Sequence, residues 1–176
     1  MVQYARPDAD TSKGNWTASS GSDLYAMIDE TSASDSDYIT VGDMGSGEAC
    51  TISLSSVTDP ASGSDHSVVV RASEDAGMSS ITLNVNLKDG STSIKNENFT
   101  PAGSAGNHTM TLSTAQANNI SSSGYGDLSL VLTSTDGMGM GVNCLVYHAY
   151  FACPDAASSS TATPMALNTY QQMRNN

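Results

Sequence analysis

The chain lacks the residue patterns that most catalytic chemistry needs. It contains no Gly-x-Ser-x-Gly elbow, and its three histidines (His66, His108 and His148) are far apart in sequence. None of them pairs with a cysteine or a carboxylate at metal-ligand spacing. A Ser-His-Asp triad can be drawn from so many serines and aspartates that drawing one has no weight. We therefore expect a protein that is not an enzyme and that uses no cofactor or metal.

Basic residues are few and scattered. The chain of 176 residues has 6 of them against 18 acidic ones, a formal net charge of −12. Nucleic-acid binders need clustered Lys and Arg to displace counterions from phosphates, so we expect no direct nucleic-acid contact. The acidic surface would suit docking on a basic protein surface. The basic residues are Arg6, Lys13, Arg71, Lys88, Lys95 and Arg174.

Long hydrophobic runs and paired cysteines are missing too. No apolar run approaches the roughly 20 residues that span a bilayer, and residues 1–7 lack the apolar core of a signal peptide. We expect no membrane association. The three cysteines form no Cys-x-x-Cys pair, and Cys50 and Cys144 sit in apolar, strand-like runs. This favours buried reduced thiols over a disulfide framework.

Alternation of apolar and hydroxyl residues is the main pattern that the chain does show. It is clearest over 50–57, 80–87 and 128–133, and Asp89-Gly90 between two such runs predicts a hairpin turn. About eight short strands separated by turn signals predict an all-β protein, an antiparallel β-sandwich of jelly-roll type. Helical periodicity is confined to one or two short helices, near 23–30 and after Ser113. The predicted strands cover 38–41, 50–57, 67–72, 80–87, 91–95, 109–112, 128–133 and 142–151.

Composition divides the chain into three segments. Residues 1–22 are polar and turn-forming, and they predict an extended N-terminal arm. Residues 23–153 carry the strand pattern and predict the sandwich domain. Residues 154–176 are small and polar, which predicts a C-terminal tail that does not fold alone.

Candidate partner contacts lie in the arm, the tail and one loop. Buried aromatic anchors dominate interface energetics, so Trp16 either docks on a partner or covers one open end of the sandwich. The loop 137–141 alternates Gly and Met, and its methionines either make an adaptable protein contact or fold back on the core. The candidate contact residues are Tyr4, Arg6, Trp16, Met138, Met140 and Tyr170.

Acidic residues fall mainly in predicted loops, where a solvating role is the usual one. Asp35-Ser36-Asp37 offers oxygen ligands for calcium, but the EF-hand glycine and terminal glutamate are missing. A pair of carboxylates on facing strands would be needed for a glycosidase, and most acids here are not in strands.

One segment resembles a known class of protein. Trp16-Thr17, then Leu24-Tyr25-Ala26-Met27-Ile28-Asp29-Glu30, then Asp35-Ser36-Asp37-Tyr38-Ile39 resembles the opening of β-sandwich virion proteins of tailed bacteriophages. Residues 57–60, 112–117 and 128–130 fit the same pattern. The resemblance covers most of 6–151 and carries no active-site motif.

The resemblance implies a structural virion protein on the outer surface of the phage head. Its expected role is capsid decoration, or cementing, in which it binds the major capsid protein lattice and stabilises the head. It would be a homo-oligomer, with a trimer as one option. The alternative is a carbohydrate-binding module of a tail or fibre, because jelly rolls often bind glycans. Few aromatic residues are available here to stack on sugar rings.

Overall fold

Two antiparallel sheets packed face to face form the protein. The structure is a computed structural model that describes residues 1–42, 47–77, 81–139 and 141–156. Within these ranges eleven strands are present, and helix is confined to a few short turns. The prediction of an all-β jelly-roll sandwich with short helices is confirmed. No helix of the described residues is long and apolar enough to cross a membrane.

The strands divide almost evenly between the sheets. Sheet A has the order β3-β4-β11-β6-β9, with β1 also paired to β11, and sheet B has the order β2-β5-β10-β7-β8. In chain order the strands are β1 (Val2–Ala5), β2 (Pro7–Ser12), β3 (Thr17–Ala18), β4 (Ile39–Gly42), β5 (Glu48–Leu54), β6 (Ser67–Glu74), β7 (Ile81–Asp89), β8 (Thr92–Phe99), β9 (Gly106–Thr111), β10 (Leu128–Asp136) and β11 (Asn143–Pro154).

The short helical elements are set by local caps. Helix α1 (Thr114–Ala117) begins with a capping box, in which Ser113 and Gln116 bond each other's backbone N–H groups. Two 3-10 turns cover Tyr25–Met27 and Gly124–Gly126. Where a helix was predicted over 23–30, the structure has only the 3-10 turn Tyr25–Met27. It ends at Ile28 because the carbonyl of that residue accepts the Ala149 N–H of β11 at 3.0 Å.

The core lies between the sheets and follows the period-2 pattern of the strands. In β7 and β10 every second side chain is buried, as half-buried strands require. The three cysteines are free and buried, which confirms the prediction of reduced thiols. Burial raises the thiol pKa of Cys144 to about 12 and that of Cys153 to about 11.

The N-terminal segment is extended, as predicted, but it is not an arm separate from the sandwich. Strand β1 pairs with β11 in sheet A, and β2 pairs with β5 in sheet B, so the chain changes sheet at Arg6. The prediction that the sandwich begins at residue 23 is therefore wrong. Polar edge strands such as β2 bury few side chains and leave little alternation to recognise in the sequence. At the other end β11 runs to Pro154, and residues 157–176 lie outside the described part of the chain.

Trp16 belongs to the core rather than to a partner surface. Only 3% of it is exposed, and its indole N–H donates to the Glu48 carbonyl at 3.1 Å. The turn before it brings Gly14 against β5 with φ +54, and a Cβ there would lie 2.2 Å from the Ala49 carbonyl oxygen. Of the two roles considered for Trp16, the structure supports covering the sandwich.

Candidate functional site

The outer face of sheet B carries a polar surface that follows from strand alternation. Inward-facing Ile52, Leu130 and Leu87 leave their neighbours in β5, β10 and β7 pointing to solvent. The outward positions hold hydroxyl, amide and ammonium groups: Thr51, Ser53, Ser129, Thr133, Asn84, Asn86 and Lys88. Val131 is the apolar exception in the middle of this face.

One end of this face forms a groove of about 400 Å³. We call it the sheet B groove. Its walls come from the edge strand β2, from β5, and from the segments that join β7 to β8 and lead into β10. Thr11 and Ser53 are joined across the β2–β5 pair by a 2.9 Å hydrogen bond between their hydroxyls. Its polar side chains are Asp8, Thr11, Thr51, Ser53, Ser56, Lys88, Asp127 and Ser129.

The chemistry of the groove is that of many neutral hydrogen-bonding groups with few charges. Hydroxyls donate and accept, Asp8 and Asp127 accept, and Lys88 donates. None of the described lining residues is aromatic. In the described ranges no three His, Cys, Asp or Glu side chains are grouped to hold a metal ion. The lining therefore suits a ligand rich in hydroxyls better than an apolar ligand.

Four asparagines lie on the same face, on the neighbouring strands β7 and β8. Register places Asn84 opposite Asn98 and Asn86 opposite Asn96 across β7 and β8. The Asn84 amide donates to the Asn98 Oδ1 at 2.7 Å, and Ser93 donates to the Asn86 Oδ1 at 2.7 Å. These bonds fix the orientation of the Asn84, Asn98 and Asn86 side-chain amides on the outer face of the sheet. We call these four residues the asparagine cluster.

The outer face of sheet A carries an aromatic patch instead. Tyr4 and Tyr150 meet edge to face with ring centroids 5.4 Å apart. The Arg6 guanidinium carbon lies 5.6 Å from each ring centroid, within cation–π range. Tyr4 is 50% exposed. We call Val2, Tyr4, Arg6 and Tyr150 the β1 patch.

The Arg6 side chain is held in place by contacts with Glu30 and His148. Its guanidinium donates to the Glu30 carbonyl and lies 3.1 Å from the Nε2 of His148. Burial, followed by the nearby Arg6 and Arg71 cations, lowers the pKa of His148 despite a hydrogen bond to the Glu30 carbonyl. Burial also raises the pKa of the Glu30 carboxyl. These contacts hold the Arg6 guanidinium beside the exposed Tyr4 and the partly buried Tyr150.

The acidic loop that offered calcium ligands is engaged with a strand of sheet A. Arg71 of β6 binds both carboxylate oxygens of Asp35, at 2.6 and 2.7 Å. Hydrogen bonding to Arg71 lowers the pKa of the Asp35 carboxyl. The Arg71 guanidinium thus engages both oxygens of the carboxylate that was considered as a calcium ligand.

The four predicted contact residues that the structure describes do not form one site. Tyr4 and Arg6 are neighbours in the β1 patch, Trp16 is buried, and Met138 is 66% exposed. Met140 and Tyr170 lie outside the described residues. The groove residues were missed, although the hydroxyl alternation of 51–53 and the Asn84-x-Asn86 spacing were signals of a polar outer face.

Comparison with known proteins gives distant structural likenesses. No family model matches, and no curated protein matches. The xylan-binding module CBM15 is similar at 13% identity and TM-score 0.47, over 89% of this chain and 99% of that one. TmCBM61 in complex with β-1,4-galactotriose is similar at 7% identity and TM-score 0.44, over 85% and 86%. The apo form of a cyclase from Fischerella sp. is similar at 14% identity and TM-score 0.48, over 89% of this chain and 84% of that one.

Proposed function

We propose that this chain is a non-catalytic binding module that holds a neutral glycan in the sheet B groove. The observation that carries the proposal is the lining of that groove, in which hydroxyl groups of Thr and Ser outnumber the charged groups. A glycan offers hydroxyls at matching density. Each neutral hydrogen bond contributes about 0.5–1.5 kcal/mol.

Charge argues for a neutral rather than an anionic glycan. The chain carries a net charge of −12, and the groove has two carboxylates against the single ammonium of Lys88 among its described lining residues. Uronic-acid or sulfated polymers would be repelled by this field.

Binding without hydrolysis fits the placement of the acidic groups. Glycosidases pair a carboxylate with a carboxylic acid whose pKa is raised by its surroundings. Glu30, whose pKa burial raises, lies beside Arg6 and His148 on sheet A rather than in the groove. We therefore expect the ligand to be bound and released unchanged.

Affinity electrophoresis tests the proposal, with xylan, β-1,4-galactan, mixed-linkage glucan and galactomannan as neutral probes and polygalacturonate as the anionic probe. Retardation by at least one neutral polymer, lost in Ser53→Ala and Lys88→Ala but kept in Thr109→Ala, would support it. Thr109 is the matched control because it is an exposed strand threonine on sheet A. Migration unaffected by every neutral polymer would refute it.

A second candidate is the capsid decoration role, on the outer surface of the phage head. Besides the sequence resemblance of 6–151, the observation that favours it is the exposure of Val2 and Tyr4, at 48% and 50%, on the edge strand β1. Edge strands with apolar side chains are ready surfaces for another chain. The proposed partners are the major capsid protein and further copies of this chain.

Cryo-electron microscopy of the native particle tests this second candidate. Density on the head lattice, with β1 against a capsid subunit, would support it, and density on the tail would refute the head location. Truncating residues 1–22 is not a clean test, because it removes strands from both sheets. Tyr4→Ala leaves those strands in place, and reduced occupancy of this variant on capsids is the expected result.

A further inference from the structure

Strand register continues the sheet B groove across the sheet as a straight row of side chains. Thr51 of β5 pairs with Val131 of β10, Val131 pairs with Asn86 of β7, and Asn86 pairs with Asn96 of β8. Paired residues point to the same face. The row therefore begins at the groove wall and ends in the asparagine cluster.

The length of the row is set by the spacing of strands. Neighbouring strands lie about 4.8 Å apart, so four strands place Thr51 and Asn96 roughly 14 Å apart. A second row runs beside the first, where Ser53 pairs with Ser129 and Ser129 pairs with Lys88. The distance from Thr51 to Asn96 exceeds the width of a single sugar ring.

The far end of the row has free hydrogen-bonding capacity. Asn96 is exposed, and among the described residues no hydrogen bond to its amide is found. Asn86 accepts from Ser93 through its Oδ1, and among the described residues its Nδ2 has no hydrogen-bond partner. An asparagine amide presents a donor and an acceptor side by side, which matches two adjacent hydroxyls of one sugar. Val131 supplies a small apolar floor between the two polar ends.

We propose that the ligand is a linear neutral oligosaccharide that crosses the strands from the sheet B groove to the asparagine cluster. This inference rests on the proposed glycan-binding function and adds the length and direction of the ligand. The reducing or non-reducing unit lies in the groove, and later units lie over Val131, Asn86 and Asn96. Affinity then increases with chain length until the row is filled.

Calorimetric titration tests the proposal with β-1,4-linked xylo-, gluco-, manno- and galacto-oligosaccharides, from disaccharide to hexasaccharide. For the series that binds, the double variant Asn86→Ala/Asn96→Ala should lower hexasaccharide affinity about tenfold, because it removes two or more neutral hydrogen bonds. Disaccharide affinity should stay within about twofold, on the same reasoning, because the groove is untouched. Asn107→Ala, an exposed strand asparagine on sheet A, is the matched control and should leave both affinities unchanged.

The outcomes separate this inference from the function on which it rests. Hexasaccharide affinity that stays unchanged in the double variant, while Ser53→Ala lowers it, would overturn the extended row and leave the groove as a glycan site. Absence of binding by the unmodified protein to any member would overturn both. The single variant Asn96→Ala, whose side chain makes no bond within the described fold, gives the same test if the double variant unfolds.

Discussion

The Tyr125 hydroxyl donates a hydrogen bond of 2.8 Å to the Nε2 of His66, and both side chains are buried against Phe151. The other ring nitrogen, Nδ1, lies 2.7 Å from the Ser64 carbonyl. A carbonyl can only accept, so Nδ1 carries the hydrogen, and in this tautomer Nε2 accepts from the Tyr125 hydroxyl. This pair ties the loop before β6 to the 3-10 turn before β10.

Removing the Tyr125 hydroxyl should therefore cost more than one ordinary hydrogen bond. In Tyr125→Phe the Nε2 of His66 is left buried without a donor, and we expect the free energy of unfolding to fall by about 1–3 kcal/mol. Urea unfolding followed by circular dichroism measures this. Tyr4→Phe, which removes an exposed hydroxyl, is the control and should change stability by less than about 0.5 kcal/mol.

Asp10 should stabilise the N-terminal segment by capping the first 3-10 turn. Its two carboxylate oxygens accept the Leu24 and Tyr25 N–H groups, each at 2.8 Å, and it also pairs with Lys13 at 3.2 Å. We expect Asp10→Ala to lower the free energy of unfolding by about 1–2 kcal/mol. Asp8→Ala on the same strand is the comparison. It should leave stability nearly unchanged while weakening glycan binding, and equal losses in both variants would contradict the capping role.

Stability should fall with acid in part through His148. Because the folded-state pKa of His148 is lowered, its neutral form contributes stability above the unfolded pKa of about 6.5. That contribution is lost as the pH falls through the folded pKa. His148→Asn should therefore flatten the fall in stability below pH 6.5, measured as unfolding midpoints at successive pH values. The pKa of His108 is lowered by burial as well, so His108→Asn is measured in parallel to separate the two contributions.

The thiols should be unreactive while the protein is folded. Cys50, Cys144 and Cys153 are each 1% exposed or less, and burial raises their pKa values, which leaves almost no thiolate at neutral pH. Ellman's reagent should label none of them in the native protein and all three after unfolding in urea. Prompt labelling of the native protein would mean that the strand ends carrying these residues open readily.

Sequence patterning predicted the strands from β4 onward and missed the three short strands of the N-terminal segment. The alternation of 80–87 and 128–133 gave β7 and β10, because each inward position there fills the core. The segment 2–12 gave no such signal. Its strands are edge strands, and their partners, β11 and β5, are far away in sequence.

The candidate site divides in the same way. The outward Thr, Ser and Asn residues of β5, β7 and β10 were readable as a polar face from the sequence. The sequence did not predict that some of these residues line one groove together with Asp8, Thr11 and Asp127. That arrangement depends on which strands are neighbours in sheet B. For Trp16 the sequence left two roles open, because a lone tryptophan in a polar segment is compatible with a partner contact and with burial in the core.

By itself the sequence determined the fold class, the burial of the cysteines and the acidic charge of the protein. These follow from local alternation and composition, which act through residues close together in the chain. Only the tertiary structure decided that residues 1–12 add an edge strand to each sheet, that Arg6 contacts both Tyr4 and Tyr150, and that the row from Thr51 to Asn96 is continuous. Those relationships depend on strand order and register, which are fixed when distant segments pair and bury their apolar faces together.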